Sequence, residues 1–415
     1  MVDCCELITD GDHQPPPKSE SGVPFITISD IDAYNTITYE KVAFAPTEYY
    51  CSLKDDRKAR KGDVLYSVVG TYGKPVFKRS DAPIVFQRHI ALLRANDKVL
   101  PAFLYYSLLN RDFYCRADAV AIGAAQKTIT LNALRNLQIP LPNLETQERI
   151  VRMLEPYDAL IENNRRQIKL LEEAAQRLYK EWFVDLRFPG HEHTPIIDGV
   201  PQGWNTCVFA DLIQKEIGGG WGKEKEEGKY DMPAYVIRGT DLENISTGDY
   251  IVPHRYHSRN NFESRKLRMG DIIFEVSGGG KNEGVAKTLR ITSGMLRKWD
   301  ERAICASFCK LVRLRSEVLS CYVGDALKYL RATRQTEIYD KRSASSIVNF
   351  RWADFLREQR FIIPEKSIMQ QYYEASNALY ERQVAMALSI SSASEARDRL
   401  LPKLMSGEIE VSAQP

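Results

Sequence analysis

The sequence predicts an α+β protein with a pseudo-two-fold internal repeat: two domains in tandem, each followed by a long coiled-coil helix. Three observations carry this. A strand-and-loop pattern recurs about 210 residues along the chain, each copy leads into a sustained helical stripe, and the hydrophobic period switches from two to about three and a half where strands give way to stripe.

The repeat is clearest where residues 57–70 read RKARKGDVLYSVVG and residues 265–278 read RKLRMGDIIFEVSG. At an offset of 208, Arg57/Arg265, Lys58/Lys266, Arg60/Arg268, Gly62/Gly270, Asp63/Asp271, Val68/Val276 and Gly70/Gly278 are identical, and Asp3 falls on Asp211. A slightly larger offset sets Phe25–Ile31 on Tyr235–Leu242, and Ile139-Pro140 pairs with Ile363-Pro364 ahead of each stripe. A unit this long exceeds the roughly 20–50 residues of a solenoid repeat. It reads as a duplicated domain plus helix.

In the first copy, VPFITISDI, DVLYSVVG and APIVFQRHIALLRA are rich in β-branched and aromatic residues and bounded by Gly, Pro and Asp, as strands are. A helix is expected after Pro101 in AFLYYSLLNRDFYCRA. The polar loop IGAAQKTIT then leads to a short amphipathic piece and a strand in NLQIPLP. Between the copies, RFPGHEHTPIIDGVPQGW reads as a linker. The second copy carries PQGWNTCVFADL ahead of its domain, and nothing precedes Asp3 to match residues 201–210. The expectation is a start recorded too far downstream, or a lost first edge strand.

The stripe after Leu144 runs Ile150, Leu154, Tyr157, Ile161, Asn164, Ile168, Leu171, Ala175, Leu178, Trp182, alternating steps of four and three. That is a coiled-coil seam, with Asn164 as the polar member that fixes register. Pro156 lies off the seam and should kink the helix or begin its main segment. The counterpart runs Ile368, Tyr372, Ala375, Leu379, Arg382, Met386, Ser389, Ala393, Ala396, Leu400, with Pro402 and Gly407 ending it. Two stripes that cannot be buried alone predict an antiparallel pair. The expected division is 1–144, 145–188 (central helix), 189–366 and 367–415 (C-terminal helix).

Composition narrows the function classes. At 415 residues the chain exceeds the size of one core. Hydrophobic residues make up 44% and charged residues 27%, so disorder is not indicated. The net charge of +2 neither demands nor excludes a polyanion. No stretch approaches the roughly 20 apolar residues of a membrane span. Asp3, Glu6 and Asp10 do not suit a signal peptide, so a cytoplasmic location is expected.

Motifs for chemistry are tested and set aside. Gly218-Gly219-Gly220-Trp221-Gly222-Lys223 and Gly278-Gly279-Gly280-Lys281 lack the spacing and the Ser or Thr of a P-loop. Neither a GxSxG elbow, an HExxH pair nor a dinucleotide fingerprint occurs. Cys305-x3-Cys309, His254-x-x-His257 and His191-x-His193 read as buried thiols and loop histidines rather than zinc ligands, and no metal is assigned.

Basic residues interleaved with polar and aromatic ones recur in both copies, around the same Gly-Asp strand. The DNA-binding candidates are Arg57, Lys58, Lys74, Arg79, Gln87, Arg88 and Lys127, and then Lys223, Lys225, Arg259, Arg265, Lys266, Lys281 and Arg342. Arg and Lys neutralise phosphates, while Arg and Gln can read base edges.

The whole chain resembles the specificity subunits of type I restriction-modification enzymes. The resemblance rests on TDGDHQPPP (9–17), KGDVLYSVVG (61–70) with its repeat, GAAQKTIT (123–130), IPLPNLETQERIV (139–151), LYKEWFVDLRFPG (178–190) and RLLPKLMSGEIEV (399–411). It implies two target recognition domains, each binding half of a split, asymmetric double-stranded DNA site. The helices would hold the domains apart and bind two modification (methyltransferase) subunits, which restriction and translocase subunits would join. S-adenosylmethionine, ATP and Mg2+ would then belong to those partners, and this chain would be non-catalytic. From Ile150 to Trp182 is 33 residues, roughly 50 Å of helix, or about one and a half turns of DNA. The competing classes are an enzyme with its own recognition domain, a subunit of a related split methyltransferase system, and a coiled-coil adaptor without base readout.

Overall fold

The computed structural model describes residues 1–32, 34–39, 42–124, 126–278, 284–342 and 347–410. The chain divides into two compact units, Met1–Asp158 with Ser394–Pro415, and Ala159–Ala393. Each unit therefore owns part of both long helices.

In the first unit an antiparallel sheet runs in the order Cys5–Asp10, Ile90–Ala95, Val64–Ser67, Pro75–Phe77. Alternation along these strands sorts their side chains into two cores. Val64, Tyr66, Ala91 and Leu93 join Phe103, Leu104 and Phe113 on one face. Leu65, Ile90 and Leu92 join Ile26, Ile84 and Phe86 on the other. A smaller sheet supplies part of that second layer: Val23–Ile26 lies antiparallel to Ala43–Ala45 and parallel to Val85–Phe86.

The second unit repeats this topology strand for strand. Its larger sheet runs Ile213–Gly218, Cys309–Leu314, Ile272–Glu275, Thr288–Arg290, all antiparallel. In its smaller sheet Tyr230–Ile237 lies antiparallel to His254–Ser258 and parallel to Ala303–Cys305. Even the irregularity recurs: the first strand slips register between Cys5 and Leu7, and its counterpart between Ile213 and Lys215. At the short 3-10 turns after Val23–Ile26 and Tyr230–Ile237, Asp30 accepts the Thr27 amide and Asp241 the Arg238 amide, both at 2.8 Å.

Several elements differ from the sequence expectation. The helix after Pro101 is two helices, Pro101–Leu109 and Arg111–Ala119. Asn110 adopts an extended conformation between them, and its side chain accepts the amide of Asp112. Residues 137–142 form no strand; Pro140 and Pro142 have no amide hydrogen to give a ladder. Their counterpart Arg360–Ile363 does pair, with Asn205–Val208. The stretch read as a linker is part of the second unit's core. Phe188 and Trp204 are buried there, with ring centroids 4.4 Å apart.

The long helices span Leu144–Phe183 and Lys366–Ser406. Pro156 lies inside the first, with its side chain exposed. Pro402 does not end the second. The stop is Gly407, whose φ of 77° suits the residue after a helix C-terminus. Among the described residues no helix is long and apolar enough to cross a membrane.

Candidate nucleic-acid interface

Among the letters shared by the two copies, Asp63 and Asp271 prove to anchor a buried frame. Asp63 accepts Arg94 Nε and Nη2 at 2.9 and 2.8 Å and the Arg60 amide at 2.7 Å. Asp271 accepts Arg313 Nε and Nη2, both at 2.7 Å, and the Arg268 amide at 2.7 Å. Hydrogen bonding to the two carboxylates holds both guanidinium groups above their ordinary pKa.

That frame absorbs part of the basic candidate set. Arg57 Nη1 donates to Gly11 O at 3.1 Å, and Arg265 Nε donates to Gly218 O at 2.8 Å. Both arginines thus tie the Gly-Asp turn to the end of the first strand. Lys58 donates to Cys51 O at 3.2 Å, Lys266 lies over Phe262, and Lys74 donates to Asp32 O at 2.9 Å. Burial holds the Lys74 ammonium below its usual pKa. Arg79 sits apart, over Phe77 and 3.8 Å from Asp158 of the long helix.

The rest of the first unit's candidates share one loop edge. The Arg88 amide donates to Asp12 O at 2.9 Å, and the Val68 amide to His89 O at 2.9 Å. The Gly70 amide donates to Lys127 O at 3.1 Å, and the Ile129 amide to Val68 O at 2.8 Å. These bonds gather residues 10–14, 68–74, 87–90, 122–124 and 126–129. Arg88 is exposed and Gln87 half-buried. Lys127 is exposed and 2.7 Å from Asp118, which also takes a hydrogen bond from Tyr72; Tyr72 in turn stacks on Tyr114. Lys127 and Tyr72 lower the Asp118 pKa, and Asp118 raises that of Lys127.

The second unit builds the same edge from different side chains. The Val276 amide donates to Phe308 O at 2.9 Å and the Phe350 amide to Val276 O at 2.8 Å. Lys223 is 2.7 Å from Glu227 and lies over the Tyr230 ring. Lys225, Arg259 and Arg342 are exposed. Lys281 lies outside the described residues. Among the described residues no three His, Cys, Asp or Glu side chains gather as a metal site. Cys305 and Cys309 are fully buried, and burial pushes the Cys305 thiol up to about 12.

Comparison with known proteins places this arrangement. Residues 14–173 match the family model described as type I restriction modification DNA specificity domain. The type I restriction enzyme MjaIX specificity subunit of Methanocaldococcus jannaschii is 24% identical, over 94% of this chain and 87% of its own. The chain carries a type I restriction-modification DNA specificity domain. The HindI specificity subunit of Haemophilus influenzae is 31% identical over 30% of this chain and 28% of its own. The crystal structure of an S subunit from M. genitalium shares the fold, with a TM-score of 0.54 at 14% identity over 97% of this chain and 94% of that one.

The long helices run antiparallel within each unit. In the first, Ile150 and Leu154 share a core with Leu401, Leu404 and Met405, and Asp158 accepts Arg397 Nη1 at 2.6 Å and the Tyr106 hydroxyl at 2.8 Å. In the second, Ile161, Asn164 and Ile168 are buried. Further along, Phe183 meets Tyr372 edge-on at 4.7 Å, and Glu172 and Ala175 line a cleft with Tyr380 and Gln383.

The buried line departs from the sequence spacing in two places. After Ile168 it keeps Ala175 of the expected seam but then moves to Tyr179 and Phe183, leaving Leu171, Leu178 and Trp182 half-buried. There the helix packs on the second unit's core, and a helix on a globular core follows 3.6 rather than 3.5 residues per turn. In the last helix Tyr372 and Ala393 of the expected line are buried, but between and beyond them the line falls one residue late: Tyr380, Gln383, Ala387, Ile390 and Leu401 are buried, while Leu379, Met386 and Leu400 are half-buried. Its true members are often small or polar, so hydrophobicity points to the neighbouring positions instead. Sequence reasoning also passed over His13, Trp221 and Phe308, all exposed on the loop edges. The available signal was the 208 offset itself, which sets His13 on Trp221.

Proposed function

We propose that each loop edge reads one block of a bipartite, asymmetric DNA site, and that the long helices dock two modification subunits, which restriction and translocase subunits join. One observation carries the reading. The frames of the two units coincide, bond for bond, at Asp63–Arg94 and Asp271–Arg313, while the exposed residues on the edges they support differ. A shared scaffold with unlike edges suits two different half-sites read by one chain. Exposed Arg88, Lys225 and Arg259 would meet phosphates or bases, and base contacts rather than phosphate contacts would set the sequence. In this reading the chain is non-catalytic. S-adenosylmethionine, ATP and Mg2+ would be bound by the partner subunits, and this chain would direct where they act.

The test is to express the chain with its modification subunits in cells lacking other adenine methylation and to map methylated positions across the genome. The expected result is one motif of two unlike blocks separated by a fixed run of unread bases. A palindromic or single-block motif sinks the reading. Methylation without any motif, in a complex that still needs this chain, favours an adaptor that does not read bases.

A further inference from the structure

The two loop edges can be matched residue by residue through their backbone bonds. The Asp12 amide donates to Phe86 O at 2.9 Å, as the Gly220 amide does to Cys305 O at 2.9 Å. The Gln87 amide donates to Ile26 O at 3.0 Å, as the Ala306 amide does to Ile237 O at 2.8 Å. By this matching His13 takes the place of Trp221, and Gln87-Arg88-His89 that of Ala306-Ser307-Phe308.

Both loops rest directly on strand backbone just before this position. A Cβ on Gly11 would stand 2.0 Å from Phe86 O, and one on Gly219 would stand 2.1 Å from Ala306 O. Glycine is therefore required there, and two residues later each loop carries an exposed ring. His13 is 59% exposed, with Nε2 3.0 Å from Asp10 Oδ2. Trp221 is 41% exposed, and the Arg255 guanidinium lies 4.8 Å from its ring. Gly222, at φ 71°, packs where a Cβ would strike the His257 ring at 2.7 Å, so the loop turns back immediately after the tryptophan.

An exposed tryptophan between close-packed glycines costs burial that the fold could otherwise use, which argues for a partner at that ring. The chemistry of the two edges also differs in kind. His13, Gln87 and Arg88 present hydrogen-bonding groups, and Arg and Gln suit the edges of guanine and adenine. Trp221, Ser307 and Phe308, the last 61% exposed, present mainly apolar surface. Apolar side chains meet the thymine methyl or wedge between flexible base steps.

We propose that His13 and Trp221 are equivalent specificity-determining residues, one per half-site. The first block is read through purine hydrogen-bonding edges and the second through apolar contact at thymine-containing steps. This rests on the two-block reading above. The test uses the full chain assembled with its modification subunits, with methylated motifs mapped for His13→Ala and for Trp221→Ala. Each variant should relax one block, and the two variants should relax different blocks. A wild-type motif retained by both variants, or the same block altered by both, overturns the assignment while leaving the two-block reading intact. If Trp221→Ala assembles but methylates nothing, recovery of the motif by Trp221→Phe supports the assignment, and failure to recover overturns it. A wild-type complex that shows no split motif overturns both.

Discussion

Asp63 grips Arg94 through two parallel N–H···O bonds, with only 3% of the aspartate side chain and 14% of the arginine side chain exposed. Bidentate geometry and near-complete burial make this a structural pair. Removing one partner strands a buried charge. Asp63→Ala should therefore cost about 3–5 kcal/mol, read by urea denaturation. Asp271→Ala should do the same for the second unit. The double variant Asp63→Ala with Arg94→Met should recover part of the loss, because no charge is left unpaired. A single-variant cost below about 1 kcal/mol would place the pair with ordinary surface bridges instead.

That pair also shows what the sequence could and could not convey. Gly62-Asp63 and Gly270-Asp271 stood out as a repeat and DVLYSVVG was legible as a strand, but the order of strands in the sheets, and the split of Leu65 from Tyr66 between two cores, were not. The role of the repeated charges was not legible. Arg57 and Arg265 look like phosphate ligands in sequence because their acceptors, Gly11 O and Gly218 O, are backbone atoms brought up by the fold. Trp221 and His13 share no residue type, so their equivalence shows only when the 208 offset is carried past the identical letters, and the common backbone bonds around them bear it out.

The division between frame arginines and exposed cations can be measured. Lys225→Ala and Arg259→Ala should each weaken DNA binding by the assembled complex across all sequences. Each should also reduce the salt dependence of binding by about one phosphate contact. Arg57→Ala and Arg265→Ala should leave the salt slope unchanged and lower thermal stability. Slopes for Lys225→Ala and Arg259→Ala that equal the parent's would show that these cations do not face phosphate.

Glu275 supplies a pH-dependent test of the second unit. Its side chain is buried at the end of the strand Ile272–Glu275, and burial raises its pKa, an effect that Lys287 and Arg331 only partly offset. The folded state therefore holds this proton more tightly than the unfolded state does. The sign follows: stability is greatest below the unfolded value, declines as pH rises from there to the raised folded value, and is level above it. Glu275→Gln removes the ionisation, so the variant should be more stable than the parent at pH 7. The gap should close below about pH 4. Thermal melts across that range decide it, and a constant gap at every pH would mean that the carboxylate is compensated in the fold.

The register of the last helix gives the final test. Ile390 is fully buried and its neighbour Ser389 only half-buried, whereas the heptad spacing of the sequence had placed position 389 on the seam. Ile390→Ala should cost about 2–5 kcal/mol through the lost contacts and the cavity left behind, while Ser389→Ala should stay within about 0.5 kcal/mol. Asn164, 7% exposed on the first helix, adds a second handle. Replacing it with Leu should raise stability while loosening the register that a buried amide enforces. Chemical denaturation measures the first effect, and disulfide trapping between cysteines placed on the two helices within the second unit measures the second. A larger loss at Ser389 than at Ile390 would move the seam back by one residue, onto the line drawn by hydrophobicity alone.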